Sequence, residues 1–263
     1  MKILENSYLL IICFIMLLSC EHENQCSCFE NKVYKYPSYI CPDSINVNCW
    51  ENRIKSLQLT DQYLKCSSTD SLTTTCFNYP LMSNIWLYSS IQEGFDHIKL
   101  IFNGFTELFE RTDKSRVLIN LYQDIDPLMV TNFEDPIERG HYMTYLIAVE
   151  ITLAQYDVVD HLTIEETKTL LETALKKYRD KSGVPNYSWV GTMSTIGILG
   201  RILYSNDYMP FVDRLTTLAD LNQFIISCDF DGINDVNIII QTILSDSENY
   251  LNELNNKSYG TKD

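Results

Sequence analysis

From Leu81 onward the apolar side chains fall at 81, 85, 88, 91, 95, 98, 102, 105 and 109. These steps of three and four draw one stripe down an amphipathic helix, or down two helices stacked end to end. Gly94 and Gly104 mark weak points in it. Ahead of the stripe, Thr60-Asp61 and Thr69-Asp70 are cap signals for two short helices running to Lys65 and Asn78. Behind it, Asp113 opens a segment with Val117, Leu118, Leu121 and Tyr122 on one side, and Asp126-Pro127 stops it. HYMTYLIAVEITLAQY (141–156) is apolar nearly all round, the mark of a central buried helix. In the next helix Thr163 and Glu166 form a capping box, and Ile164, Leu170, Leu171, Ala174, Leu175 and Tyr178 share a face. Lys176, Lys177, Arg179 and Gly183 close it before Pro185. Trp189 to Tyr204 predicts another helix, whose Gly197 and Gly200 let a neighbour approach closely. Two or more follow, over 210–219 behind Pro210 and over 235–254 behind Asn234.

Residues 21–58 carry no such stripe. With Pro37, Pro42 and many Asn and Ser, they predict an irregular, tether-like segment. No fixed-period repeat is present. The fold expected is therefore all-α, an irregular bundle or array of about seven to nine helices behind a Cys-rich irregular N-terminal segment.

Composition agrees with packed helices. Of 263 residues 45% are hydrophobic, enough for a sizeable core, and 9 Gly and 7 Pro are few beside 17 Tyr and 11 Phe. The net charge of -15 changes the picture more. Loss of residues 1–19 takes one base, Lys2, and one acid, Glu5, and leaves 19 bases against 34 acids, still -15. Such a field repels a phosphate backbone, which argues against nucleic acid as a partner and against anionic lipid surfaces. The one dense basic stretch, KKYRDK (176–181), is explained by bases in the last turn of a helix offsetting its dipole.

Residues 8–18, YLLIICFIMLL, form an apolar run too short to cross a bilayer comfortably and the right size for the centre of an export signal. Directly behind it, LLSC (17–20) resembles the lipobox of bacterial lipoproteins, where a peptidase cuts before the cysteine and its thiol carries a diacylglycerol. The resemblance implies lipidation at Cys20, a position that demands a nucleophilic thiol, and a place in the cell envelope. That place is the outer membrane, at its periplasmic face or at the cell surface, with the membrane reached through the anchor. The chain then divides into a signal peptide (1–19), a lipid-anchored Cys-rich tether (20–58), a single helical domain (59–255) and a flexible tail (256–263).

Cys13 departs with the signal. Of the rest, Cys26, Cys28, Cys41, Cys49, Cys66 and Cys76 crowd together and are disulfide candidates in an oxidising compartment. The sequence does not choose among their pairings, and Cys66 and Cys76 also suit buried apolar positions on short helices. Cys228 is left as the unpaired thiol. The spacings lack the paired C-x2-C knuckles of a zinc site, so no metal is expected there.

LTTTCFNYPLM (72–82), QEGFDHI (92–98), FNGFTELFERTD (102–113) and KSGVPNYSWVGTMSTIGILGRIL (181–203) resemble a helical region recurring in uncharacterised lipoproteins and secreted proteins of Gram-negative gut bacteria. The likeness spans residues 57–215 in order. Some of those proteins join the region to a peptidase-like or amidase-like domain with a Cys-His core. SCDFDG (227–232) lacks the adjacent histidine, so the resemblance implies a fold and an address without an activity.

The chemical candidates are weak against their plainer readings. Asp157, Asp160 and His161 stand at i, i+3 and i+4, where two carboxylates and an imidazole face one ion, yet acidic helix ends are commonplace. Glu138 and His141 fit a first-turn acid and a histidine at the core's edge. DFDGIND (229–235) has a calcium loop's composition with its glycine fourth instead of sixth, and suits a capped turn. GTMSTIG (191–197) is not G-x-S-x-G, and His97 has no nameable partner beyond a remote pairing with Cys76. No Walker loop or dinucleotide-binding glycine pattern occurs, so no catalytic residue, metal or cofactor is expected. Tyr79, Trp86, Tyr88, Tyr142, Tyr145, Tyr187 and Trp189 line a recognition groove on one reading and fill the core on the other.

The function expected is that of an envelope lipoprotein whose non-catalytic helical domain binds a protein or glycan partner, with an immunity-type protein as a specific variant. The alternatives are a hydrolase with a site assembled from dispersed residues and a structural subunit of a surface assembly. A binder requires an exposed aromatic patch rimmed by acids, and a hydrolase requires a cleft where histidine, carboxylate and nucleophile meet.

Overall fold

The computed structural model describes residues 26, 29, 31–38, 47–187 and 189–259, so the signal peptide expected over 1–19, Cys20, Cys28 and Cys41 lie outside it. Among the described residues the regular structure is helical with no strand, as expected, and eleven helices have seven residues or more. The chain forms two compact units. The smaller holds the described residues up to Tyr79 together with Phe102–Leu108, and the larger holds Pro80–Ile101 and the chain from Phe109 onward.

In the smaller unit the segment expected to be irregular contains a helix, Val47–Ser56. A disulfide-bonded, buried Cys49 and the buried Leu57 and Leu59 behind it hold a helix that no complete apolar stripe announces. Next, Asp61–Cys66 is capped by Thr60, whose side chain accepts from the Tyr63 amide. The cap of Thr69–Phe77 is Ser68, one residue earlier than the sequence signal, accepting from the Ser71 amide at 3.2 Å.

The core of this unit is aromatic. Tyr63, Leu72, Cys76, Phe102 and Phe105 are buried, and the Tyr79 ring stacks on Phe102 at 4.0 Å. Tyr63 Oη donates to the Lys32 carbonyl at 2.8 Å and lies 2.6 Å from Thr75 Oγ1, which also takes the Tyr34 amide at 3.0 Å. A disulfide joins Cys26 to Cys66, and Cys49 is also disulfide-bonded. Cys76, counted among the candidates for the framework, is instead a free thiol closed in the core, where burial pushes its pKa up.

In the larger unit the stripe that starts at Leu81 opens with a 3-10 turn, Met82–Leu87, followed by the helix Ile91–Ile101; the helix Asn103–Glu110, which continues the pattern, belongs to the smaller unit up to Leu108. A Cβ on Gly94 would lie 2.1 Å from the Ile85 carbonyl oxygen, so only glycine lets that helix meet the turn. Pro136–Leu153, capped by Asp135, is the buried helix anticipated over 141–156, with every residue from Leu146 to Leu153 buried. Ile164–Ser182 carries the capping box, Thr163 Oγ1 accepting from the Glu166 amide and the Glu166 carboxylate accepting from the Thr163 amide.

Trp189–Ser205 packs against both of these and against Val236–Tyr259. Gly200 lets it come close to Val236–Tyr259 and to the helix that carries Ile225, since a Cβ there would lie 3.2 Å from Ile243 Cδ1 and 2.5 Å from Ile225 Cδ1. The helix expected over 210–219 is Met209–Thr217; the backbone at Leu218 leaves the helical region and a further helix, Ala219–Ser227, follows. Among the described residues no helix is long and apolar enough to cross a membrane.

Candidate functional site

A carboxylate in the middle of an apolar helix has to find partners, and Glu150 of Pro136–Leu153 finds them on three other helices. Its Oε1 accepts from Tyr122 Oη at 2.7 Å and Thr195 Oγ1 at 2.8 Å. Its Oε2 accepts from Lys181 Nζ at 2.6 Å and Ser194 Oγ at 2.5 Å. Lys181 donates also to the Gly191 carbonyl at 2.9 Å and to Thr195 Oγ1 at 3.0 Å. The ammonium's three protons and the carboxylate's four acceptor sites are all engaged. Glu150 and Lys181 are 0% exposed. Burial lowers the Lys181 pKa, with Glu150 pulling the other way, and burial beside Glu150 holds the Tyr122 phenol well above its usual range. Hydroxyl, amine and carboxylate are the parts of a nucleophilic site. Here they are closed to water and saturated by one another, an arrangement that fixes helix register.

Two more cations are buried in this unit. Arg201, also 0% exposed, donates to the Ala154, Ile225 and Ile226 carbonyls at 3.0–3.1 Å and to Gln92 Oε1 at 2.6 Å. It also lies over the Tyr156 ring at 4.9 Å. Its charge is balanced by the carbonyl ends of two helices, with no carboxylate among those partners. Lys177 donates to the Ile125 carbonyl, just beyond the Lys114–Asp124 helix.

The residues singled out from sequence are dispersed. Asp157 pairs with Lys99 at 2.5 Å, Asp160 ends a one-turn helix, and His161 is exposed, so the trio makes no joint site. Among the described residues no group of three His, Cys, Asp or Glu is placed to hold a metal. Glu138 and His141 are both exposed, the histidine lying outside the core edge anticipated for it. The ring of His97 packs on Tyr88 at 4.8 Å. In DFDGIND, Asp229 Oδ1 takes the Asp231 amide at 3.0 Å and Asp235 Oδ1 takes the Ile238 amide at 3.1 Å, the capped turn foreseen before the last helix. Cys228 is a free, buried thiol.

Of the aromatic set, Tyr79 and Tyr187 are buried, the latter donating to the Pro127 carbonyl at 2.9 Å. Trp189 is 56% exposed and leans on Phe230, ring centroids 6.2 Å apart. With Val236 and Asn237 these two line an open cleft of about 300 Å³. Phe230 is buried and stacks in turn on Phe224 at 4.6 Å. Asp229 and Asp231 bracket Phe230 in the chain, and the exposed Asp235 precedes Val236. The cleft is thus apolar within and acidic along the loop that builds it.

Sequence reading passed over Glu150 and Arg201, and took Lys181, within KKYRDK, for a base offsetting a helix dipole, whereas it is fully buried. The signal for Glu150 was present, as the one acid in an otherwise apolar run from Leu146 to Ala154. Compared with known proteins, the chain matches no family model, no curated protein and no solved structure.

Proposed function

We propose that this protein is a lipid-anchored envelope protein whose non-catalytic helical part binds a basic partner. The observation that carries the reading is the cleft of Trp189 and Phe230 set in an acidic loop. An exposed indole buries area at low entropic cost, and an ammonium or guanidinium over its face gains roughly 0.5–2 kcal/mol. The nearby carboxylates and a net charge of -15 draw such a group in from solution. A neutral glycan stacks on the same ring without using the carboxylates, so a basic protein is the better occupant. An immunity-type protein that neutralises a basic toxin fits this description. The apolar run 8–18 and the LLSC that follows support attachment through Cys20.

Calorimetry on the detergent-solubilised full chain tests the binding. A Lys/Arg-rich peptide is expected to bind with an affinity that falls as salt rises, and at least tenfold more weakly to Trp189→Ala; an Asp/Glu-rich peptide is expected not to bind. Equal affinity for both peptides, or an unchanged affinity in Trp189→Ala, removes the proposal. The address is checked separately by mass spectrometry, which should find a diacylglycerol thioether on an N-terminal Cys20. An unmodified Cys20 behind an intact 1–19 refutes it.

A further inference from the structure

A second cleft, of about 370 Å³, opens where Gln123, Ile125 and Asp126 face Thr173, Lys176 and Lys177 of the Ile164–Ser182 helix. Lys177 is only 4% exposed, and both ends of its hydrogen bond to the Ile125 carbonyl belong to residues that line the cleft. The amine also sits 4.8 Å above the Tyr122 ring. A lysine that merely caps a helix end usually keeps its head in water. This one is drawn to the wall of a cavity, with the face of an aromatic ring beneath it.

The surrounding charges do not restore an ordinary ammonium. Desolvation lowers the Lys177 pKa to about 8; Lys176 and Lys181 push the same way, against Glu150 and Asp126. Both carboxylates have other partners, Glu150 in the sealed network and Asp126 on the Leu128 amide at 2.9 Å. Roughly a tenth of Lys177 is then uncharged at pH 7, against on the order of one in three thousand for an ordinary lysine.

We propose that Lys177 is a covalent acceptor for small aldehydes that enter this cleft. The nitrogen lone pair forms a bond to the carbonyl carbon as the C–O π pair moves to oxygen, and a proton passes from nitrogen to that oxygen. Loss of the oxygen as water, with release of the second nitrogen proton, leaves an imine. Aldehyde and amine give imine and water, so no oxidant or further reactant is required. Asp126, lining the same cleft, is placed to carry protons. A protonated imine keeps its charge over Tyr122. This is stoichiometric capture and is independent of the Trp189 cleft.

The test treats the native full chain with limiting propanal and cyanoborohydride and maps propylated lysines by peptide mass spectrometry. At pH 7 Lys177 is expected to react at least tenfold faster than Lys176, whose side chain is 73% exposed, and the advantage should shrink toward pH 10. Reaction no faster than at Lys176, or reaction of Lys177 only after denaturation, overturns the proposal. Lys177→Arg is expected to abolish the fast label; a fast label that survives at another lysine also overturns it.

Discussion

In the smaller unit the buried titratable groups are tyrosines and a thiol, and its buried polar side chains are Ser and Thr. In the larger unit Glu150, Lys177, Lys181, Arg201 and Asp246 lie in the interior. The contrast follows from what each can offer a charge. Short helices of six to ten residues, Val47–Ser56, Asp61–Cys66 and Thr69–Phe77, present few groups that converge on one point, so stability there comes from stacked rings and a disulfide. Four longer helices around Glu150 supply every hydrogen bond the pair needs, and that completeness is the condition under which a buried ion pair is tolerated.

The largest effect that breaks this comparison is removal of one member of the pair. Lys181→Met leaves the Glu150 carboxylate without its cation and is expected to cost about 3–5 kcal/mol in urea unfolding. Adding Glu150→Leu should recover part of that loss; strictly additive costs would show that the two do not act as a unit. In the smaller unit, Cys26→Ser opens the bond between Cys26 and Cys66 and is expected to cost roughly 2–4 kcal/mol. Faster amide exchange across Asp61–Phe77 is the readout, and unchanged protection there would mean the aromatic core suffices. Thr163→Ala removes half of the capping box and should cost about 1 kcal/mol, measured as a shift in the urea midpoint.

A further effect is in pH. Lys177 has a folded pKa of about 8 against an ordinary 10.5, so between those values the unfolded chain binds more protons and stability rises with pH. The contribution is fully present only above 10.5 and is lost as pH falls through about 8. Tyr122 and Tyr187, both pushed up by burial, oppose it once unfolded tyrosines ionise near 10. A rise from about pH 8 to 10 is therefore expected in the native chain and a smaller one in Lys177→Met, where the lowered Lys181 remains. A rise of equal size in both would assign it to other groups.

Much of the fold was legible in local chemistry. The capping box at Thr163 and Glu166, the stop at Asp126-Pro127, the start at Pro210 and the helical spacing along 164–178 each act within a few residues of chain. Where the reading slipped, burial had overruled a local signal: Cys49 is buried and disulfide-bonded within the helix Val47–Ser56. The candidate site was legible only in part. Trp189 stood among the named aromatics, but its exposure depends on where Phe230 lies.

By itself, then, the chain determined that the protein is helical and acidic, because periodicity, caps and composition are properties of neighbours along the sequence. Tertiary structure alone decided which polar residues are sealed and which meet solvent. Glu150 reaches Lys181 across 31 positions, Ser194 across 44 and Thr195 across 45. No local pattern encodes such pairs; they form because a carboxylate taken out of water must be met by whatever donors the packed helices bring to it.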